Sequence, residues 1–271
     1  MDNRIDLKFK ELRKAGQKAF IAFITAGDPD LETTEELVLA FEDSGVDIVE
    51  LGVPFSDPLA DGSTIQAASY RALKNGTTLE KIFKLVTRIR KRTDLPVALM
   101  TYYNPVFHFG EEPFAVACRD AGVDGVIIPD LPPEEAGSLI PAARRHGIAT
   151  VFFVAPTTRA ERLRLIARSS SGFIYYVSVA GVTGARQVLP GDILRHVRAV
   201  QHISQTPVCV GFGISTSEQV RAISRVADGV IVGSAIIKEI EKQAGKSALV
   251  SQVSRMVWGL ASPLKNREGK R

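Results

Sequence analysis

Two acidic residues stand where they could transfer protons. Glu50 lies at the C-terminal end of an apolar, β-branched run, residues 46–51 (VDIVEL), which predicts a short buried strand. Asp61 follows eleven residues later, in a loop rich in glycine and proline (ELGVPFSDPLADG, residues 50–62). A carboxylate on a rigid strand and a second on a mobile loop suit general acid/base catalysis with a gated partner. The alternative is structural: Glu50 is a hydrogen-bonded core acid and Asp61 is a helix N-cap.

Composition limits the class of protein. The 271 residues allow one large α/β domain or two small ones. No apolar stretch approaches the 18 residues of a membrane span, and the charged, amphipathic start (MDNRIDLKFKELRKAG) predicts a helix rather than a targeting signal. The two cysteines, Cys118 and Cys209, form no CxxC pair, so we expect buried free thiols, no metal site and a cytoplasmic protein.

The net charge of +4 does not indicate a nucleic-acid partner. The last seven residues (KNREGKR) contribute +3, which leaves +1 for the other 264. The other basic run, RIRKR at 88–92, ends a predicted helix, where cations complement the helix dipole. We therefore expect residues 1–264 to form one catalytic domain and residues 265–271 to be a disordered basic tail.

Strand-like and helical patterns alternate along the whole chain, which is typical of a parallel sheet. Eight such units predict a (β/α)8 TIM barrel with an extra N-terminal helix and a short extra helix after strand eight. A doubly wound sheet is the alternative, but the loop after the first strand (TAGDPD) lacks its glycine fingerprint. The eight predicted strands are Ala19–Thr25, Asp47–Leu51, Pro96–Met100, Gly125–Pro129, Thr150–Val154, Phe173–Val177, Pro207–Gly211 and Gly229–Val232.

The barrel interpretation brings the unusual residues together, because catalysis in this fold takes place at the carboxyl ends of the strands. Residues at or just after predicted strand ends include Glu50, Asp61, Tyr102, Asp130, Tyr175, 211–213 and 233–234.

Two of these loops suit phosphate. GFGIS (211–215) and GSAII (233–237) follow strands seven and eight, where barrels often bind phosphate with backbone amides and a helix N-terminus. We expect Gly213, Gly233 and Ser234 to donate, since neither loop carries a lysine or arginine. The alternative for a single GxG is a tight turn.

A third glycine-rich loop, residues 178–191 (SVAGVTGARQVLPG), is long enough to predict a lid. Gly181, Gly184 and Gly191 would be its hinges, and the hydroxyl of Thr183 would reach the catalytic base on closure.

Taken together, ELGVPFSDPLADG, TYYNPVFHFG (101–110), GVDGVIIPDLPPEE (122–135), AGVTGAR (180–186), GFGIS and VGSAI resemble the tryptophan synthase α chain family from about Phe20 to Ile240. The resemblance implies retro-aldol cleavage of indole-3-glycerol phosphate to indole and D-glyceraldehyde 3-phosphate, with no metal or organic cofactor. It matches Glu50 to the acid that moves both protons, and Asp61 to the acid that binds the indole N–H.

The resemblance also assigns the other site residues. Tyr175 joins the two acids in the catalytic set. The indole pocket would comprise Phe23, Met100, Tyr102, Ile127, Thr183 and Phe212, and the phosphate site Ile65, Gly184, Gly213, Gly233 and Ser234.

A partner is implied as well: a β chain that carries pyridoxal phosphate, in an α2β2 heterotetramer. The matching contact residues are Pro54, Phe55, Ser56, Asp57, Asn104 and Pro132. Val179 stands in the lid where some family members have a basic residue. The alternatives are a catalytically weak subunit that mainly activates the β chain, a stand-alone lyase and a sugar-phosphate isomerase on the same fold.

Overall fold

The computed structural model describes residues 3–177, 190–211 and 213–265. One parallel sheet of nine segments forms a barrel, in the order β5-β4-β3-β2-β1-β9-β8-β7-β6. The segments are β1 (Ala19–Thr25), β2 (Ile48–Gly52), β3 (Val97–Met100), β4 (Gly125–Ile127), β5 (Ala149–Val151), β6 (Phe153–Val154), β7 (Ile174–Val177), β8 (Val208–Gly211) and β9 (Gly229–Val232).

The barrel has eight strands in nine segments because its fifth strand is interrupted at Phe152. β5 hydrogen-bonds to β4, whereas β6 hydrogen-bonds to β7. The predicted continuous strand Thr150–Val154 therefore changes its neighbour half-way, and this change closes the barrel. The predicted TIM barrel is confirmed.

Helices surround the sheet. In the described part of the chain they are α1 (Arg4–Ala15), α2 (Leu31–Asp43), α3 (Ser63–Lys74), α4 (Leu79–Arg90), α5 (Tyr103–Phe109), α6 (Glu111–Ala121), α7 (Leu139–Arg145), α8 (Ala160–Ser169), α9 (Pro190–Ile203), α10 (Ser217–Ser224), α11 (Ser234–Gln243) and α12 (Leu249–Lys265). The N-terminal helix is α1, and α11 is the helix predicted directly after the last strand.

One helix is shorter than its sequence pattern. The sequence pattern predicts a helix over residues 133–146, but α7 covers only Leu139–Arg145. Its first half is a turn closed by the Glu135 amide on the Pro132 carbonyl, and Gly137, a poor helix former, lies before the helix starts. The segment after β4 is therefore a loop, where a functional residue can be exposed.

The amino end of the barrel is closed by α1. Its apolar face, Ile5, Phe9 and Leu12, is buried, and the Phe9 ring lies 6.1 Å from that of Phe173 inside the barrel. Asn3 caps the helix through a capping box, and Gly16 ends it in the left-handed conformation at φ 63°. The interior of the barrel is therefore covered at its amino end.

The last described residue is Lys265, which belongs to α12. Its ammonium lies 2.6 Å from both carboxylate oxygens of Asp47, at the start of β2. Residues 266–271 lie outside the described residues, so the predicted basic tail stays a prediction. No helix in the described ranges is both long and apolar enough to cross a membrane.

Candidate active site

Glu50 is an acidic residue that is fully buried in the barrel. It lies on β2 between Phe23 of β1 and Ala98 of β3, and it is 0% exposed. Among the residues that the structure describes, neither carboxylate oxygen has a hydrogen-bond partner. Burial without a partner raises the pKa of Glu50 to about 8. The structural alternative of a hydrogen-bonded core acid is thus wrong, and Glu50 holds a proton at neutral pH.

Asp61 lies half-buried in the loop between β2 and α3. Partial burial raises its pKa to about 6, and the nearby Tyr102 hydroxyl counteracts part of that rise. The residue that caps α3 is Gly62, so the alternative of Asp61 as a helix N-cap is also wrong. Since the two acids have different environments, Asp61 is largely ionised at neutral pH while Glu50 is protonated.

An open cleft lies beside Asp61. Its walls include predicted site residues and are formed by Phe23, Thr25, Gly52, Val53, Asp61, Ile65, Ser69, Met100, Thr101 and Tyr102. Glu50 does not line this cleft; it pairs with Phe23, two residues before Gly52 on the same strand, and both Phe23 and Gly52 line the cleft. Ile127 is also outside the cleft: it pairs with Met100 and is fully buried in the barrel interior.

Tyr175 lies inside the barrel on β7, with its ring 4.8 Å from that of Phe153. Burial raises its pKa well above the ordinary value, and the charges of Glu50 and Asp61 add to the rise, so all three groups share one neighbourhood. A Cβ at Gly211 would come within 2.5 Å of the Tyr175 hydroxyl oxygen. Glycine at that position therefore makes room for the tyrosine.

The predicted phosphate loops differ in how their helices are capped. Thr216 and Gln219 form a capping box on α10, and Gln219 also accepts from the Ser215 amide at 2.8 Å. By contrast, α11 begins at Ser234 after Gly233, which has no side chain with which to cap the first turn. The Ile236 and Ile237 amides donate to the Gly233 carbonyl. The backbone amides that an anion could bind are therefore those at the very start of the helix, at Ser234 and Ala235.

An ion-pair network holds the last turn of α11. Arg71 of α3 binds both oxygens of buried Asp28 at 2.8 Å and also binds Glu241 of α11 at 2.8 Å. The network connects the turn after β1, the helix that follows Asp61, and the candidate phosphate helix.

Other predicted ligand residues are placed only in part. Gly213 lies after β8 in the left-handed conformation at φ 71°, and Ile65 is half-buried in the first turn of α3. Four predicted positions lie outside the described residues. They are Phe212 and, in the predicted lid, Val179, Thr183 and Gly184.

The predicted partner-contact residues all follow strands at the carboxyl end. Pro54, Phe55, Ser56 and Asp57 belong to the β2–α3 loop, Asn104 is exposed on α5, and Pro132 follows β4. The Tyr103 amide donates to Asp130 at 2.9 Å and joins two of these loops.

Sequence reasoning missed several residues here. Leu59 in the β2–α3 loop is 93% exposed and Phe107 on α5 is 68% exposed, so they are apolar groups that a partner would bury. Within the described residues, the buried Thr25 hydroxyl has no partner, although Thr25 lines the cleft. A polar residue that ends the apolar strand AFIAFIT was the available signal. Gly52 leaves space for Phe23, whose ring a Cβ would meet at 2.7 Å.

Comparison with known proteins decides the family. The family model described as "Tryptophan synthase alpha chain" matches residues 9–263. The chain belongs to the tryptophan synthase alpha chain family. A relative of that name from Geobacter sp. (strain M21) is 50% identical over 258 residues, which cover 95% of this chain and 96% of the relative. Another, from Thermoanaerobacter sp. (strain X514), is 47% identical over 97% of this chain and 100% of the relative.

Solved structures of the family agree with the barrel. The crystal structure of tryptophan synthase subunit alpha from Legionella pneumophila str. Paris has a TM-score of 0.91 and 36% identity, with 98% of this chain and 100% of that chain covered. A Pyrococcus furiosus structure, described as the tryptophan synthase α2β2 complex, has a TM-score of 0.84 and 40% identity, with 91% and 99% covered.

Proposed function

We propose that the chain performs the α reaction of tryptophan biosynthesis, the retro-aldol cleavage of indole-3-glycerol phosphate to indole and D-glyceraldehyde 3-phosphate, with its own side chains. Glu50 carries this proposal, because a fully buried carboxyl group without a hydrogen-bond partner lowers stability and is rarely kept without a catalytic use.

Two proton transfers are assigned to Glu50. With a pKa of about 8, its carboxyl group is protonated at neutral pH and gives its proton to C3 of the indole ring. The resulting carboxylate takes the proton of the side-chain hydroxyl while the carbon–carbon bond breaks. The bonding electrons return to the ring, indole leaves, and the new carbonyl belongs to glyceraldehyde 3-phosphate. Glu50 ends the cycle protonated, so no external acid or base is consumed.

Asp61 is assigned to the charge that develops on the ring. Protonation at C3 makes the indole nitrogen positive, and an ionised carboxylate that accepts its N–H hydrogen bond lowers the barrier. A pKa of about 6 keeps Asp61 ionised at neutral pH. Its position in the cleft, beside Phe23, Met100 and Tyr102, supports a flat aromatic ring at this level.

The phosphate of the substrate is assigned to the open N-terminus of α11, at Gly233 and Ser234. Backbone amides and the helix dipole supply the attraction. We keep Gly213, Ile65 and Gly184 as the remaining phosphate contacts, and Tyr175, Ile127, Thr183 and Phe212 as the remaining contacts around the reacting group.

A β chain is part of the proposal, in an α2β2 heterotetramer in which the β chain carries pyridoxal phosphate and this chain carries no cofactor. The exposed Leu59 and Phe107, together with the predicted contact residues Pro54, Phe55, Ser56, Asp57, Asn104 and Pro132, support a docking surface at the carboxyl end of the barrel. A cytoplasmic location is also proposed, in agreement with two buried free cysteines.

The deciding experiment is indole release from indole-3-glycerol phosphate by the purified chain, with and without a β chain. We expect slow turnover alone and strong acceleration in the complex. A folded chain that activates the β reaction but releases no indole would instead be the catalytically weak subunit. The catalytic roles assigned to Glu50 and Asp61 would then be wrong.

A further inference from the structure

Thr25 carries a buried hydroxyl group that no residue of the described chain satisfies. It is the last residue of β1, is only 1% exposed, and lines the cleft beside Asp61. Its hydroxyl oxygen has no hydrogen-bond partner in the described part of the chain. A buried hydroxyl without a partner lowers stability, so its place in a cleft indicates that the partner arrives with a ligand.

The strand fixes the direction of this side chain. Alternate residues of a strand point to the same face, and Ala19 and Ile21 of β1 pack among the residues inside the barrel. Thr25 lies on the same face, two residues beyond Phe23, so it points into the mouth of the barrel. Its backbone is held by pairing with Gly52 of β2, and its branched Cβ leaves the side chain few rotamers.

The neighbours of β1 place Thr25 between the two ends of the proposed substrate. In the sheet, β1 lies between β2 and β9. The acids to which the reacting carbon and the indole ring are assigned belong to β2 and the loop that follows it, and the residues assigned to the phosphate follow β9. A group at the end of β1 therefore faces the middle of the ligand.

Phe23 confirms that one side chain of β1 reaches both neighbouring strands. A Cβ at Gly52 would meet its ring at 2.7 Å, and a Cβ at Gly233 would meet it at 3.1 Å. The distance from the acids to the phosphate loop is thus short at the level just below Thr25, and a three-carbon chain can cross it above the ring.

The chemistry of the substrate leaves one group to be recognised there. Its glycerol side chain has three carbons: the first carries the hydroxyl whose proton goes to Glu50, and the third carries the phosphate. The hydroxyl of the middle carbon has no partner in the proposed mechanism. We propose that the Thr25 hydroxyl hydrogen-bonds this middle hydroxyl and makes the site specific for substrates that carry it. This inference rests on the proposed function.

A threonine hydroxyl suits this partner because it can donate and accept, so two neutral hydroxyl groups pair without a charge. Another threonine of the cleft is not available in the same way. Thr101 already uses its hydroxyl to donate to the Tyr102 carbonyl at 3.2 Å.

The test removes the hydroxyl and keeps the shape of the side chain. Calorimetry in a background of Glu50→Gln, which leaves the substrate intact, compares indole-3-glycerol phosphate with the analogue that lacks only the middle hydroxyl. Thr25→Val should weaken binding of the substrate by about 10- to 100-fold, because it leaves the middle hydroxyl unpaired, and that of the analogue by less than about 3-fold. In the cleaving enzyme we expect a higher KM with kcat kept within about 3-fold, since the bond breaks elsewhere.

Stability separates binding from a structural role. Thr34 is as deeply buried as Thr25, but its hydroxyl donates to the Asp30 carbonyl at 2.7 Å and accepts from the Gly27 amide at 3.0 Å. Thr34→Val is therefore the matched control: it should lower the midpoint of urea unfolding and leave the ratio of the two affinities unchanged. Thr25→Val should not lower the midpoint, because it removes a hydroxyl without a partner. Thr25→Ser should keep the preference for the substrate.

The outcomes distinguish this inference from the proposed function. If Thr25→Val weakens both ligands equally, weakens neither, or lowers the urea midpoint as much as Thr34→Val, the inference is overturned, even where the wild type releases indole. A selective loss for the substrate supports it, even if no indole is released and the proposed cleavage fails. If neither ligand binds, both are wrong.

Discussion

Replacing Glu50 with glutamine tests the site through stability as well as through activity. Because the pKa of Glu50 is raised from 4.5 in the unfolded chain to about 8 in the folded chain, the folded state binds one more proton between these values. Stability then falls by about 1.36 kcal/mol for each pH unit. Below pH 4.5 both states are protonated and the penalty is absent; above pH 8 it is complete.

The size of the effect follows from that window. Between pH 5 and pH 8 the wild type should lose about 4 kcal/mol through this one group. Glu50→Gln keeps the size of the side chain but cannot ionise, so that loss disappears. We expect its stability relative to the wild type to rise by about 4 kcal/mol over the same range, while indole release falls by about 10²- to 10⁴-fold.

The assay is urea unfolding of both proteins at half-unit steps from pH 5 to pH 8.5, with turnover measured at each step. The difference between the two proteins removes the contributions of other titrating groups. Glu36→Gln, on an exposed position of α2, is the matched control and should follow the wild type in both measurements. Parallel stability curves for the wild type and Glu50→Gln would refute the argument, since Glu50 would then ionise as easily in the barrel as in water.

Three further substitutions test other parts of the site. Asp61→Asn should lower kcat by about 10²- to 10³-fold in steady-state assays of indole release, because a neutral amide does not stabilise the positive ring. A higher KM with an unchanged kcat would contradict this prediction. Gly211→Ala should lower the free energy of unfolding by about 1–3 kcal/mol, since its Cβ overlaps the neighbouring tyrosine; Gly137→Ala, where a Cβ meets no heavy atom within 4 Å, is the control. Arg71→Ala should lower the free energy of unfolding in urea by about 2 kcal/mol, because buried Asp28 loses its bidentate partner. It should also raise the KM for substrate. An unchanged KM would show that the ion-pair network does not affect phosphate binding at α11.

The fold could be predicted in detail because the periodicity of the chain is regular. Strands such as Ala19–Thr25 and Gly229–Val232 match the structure residue for residue, since β-branched runs between turns leave little choice. The interruption at Phe152 and the short α7 could not be predicted. Both depend on what the segment packs against: Phe152 lies where hydrogen bonding changes from β4 to β7, and 133–138 forms turns instead of helix.

The site could be located from sequence, but its chemistry could not be quantified. Placing Glu50 and Asp61 at the carboxyl end needed only the barrel and the strand ends. The missing hydrogen-bond partners of Glu50 depend on which side chains the neighbouring strands β1 and β3 bring around it. The hydrogen bond from the Ala60 amide to the Tyr102 hydroxyl and the space that Gly211 leaves for Tyr175 are likewise contacts between segments distant in sequence.

The pairing of β1 with β9 has a consequence for synthesis on the ribosome. Ala19 of the first strand pairs with Gly229 of the last, so the barrel closes only when nearly the whole chain has emerged. Until then β1 presents an unpaired edge, a surface on which other nascent chains can add a strand. Closure through contacts so distant in sequence is intrinsically slow. Chaperone protection of the nascent chain should therefore matter most before residue 229 leaves the ribosomal tunnel.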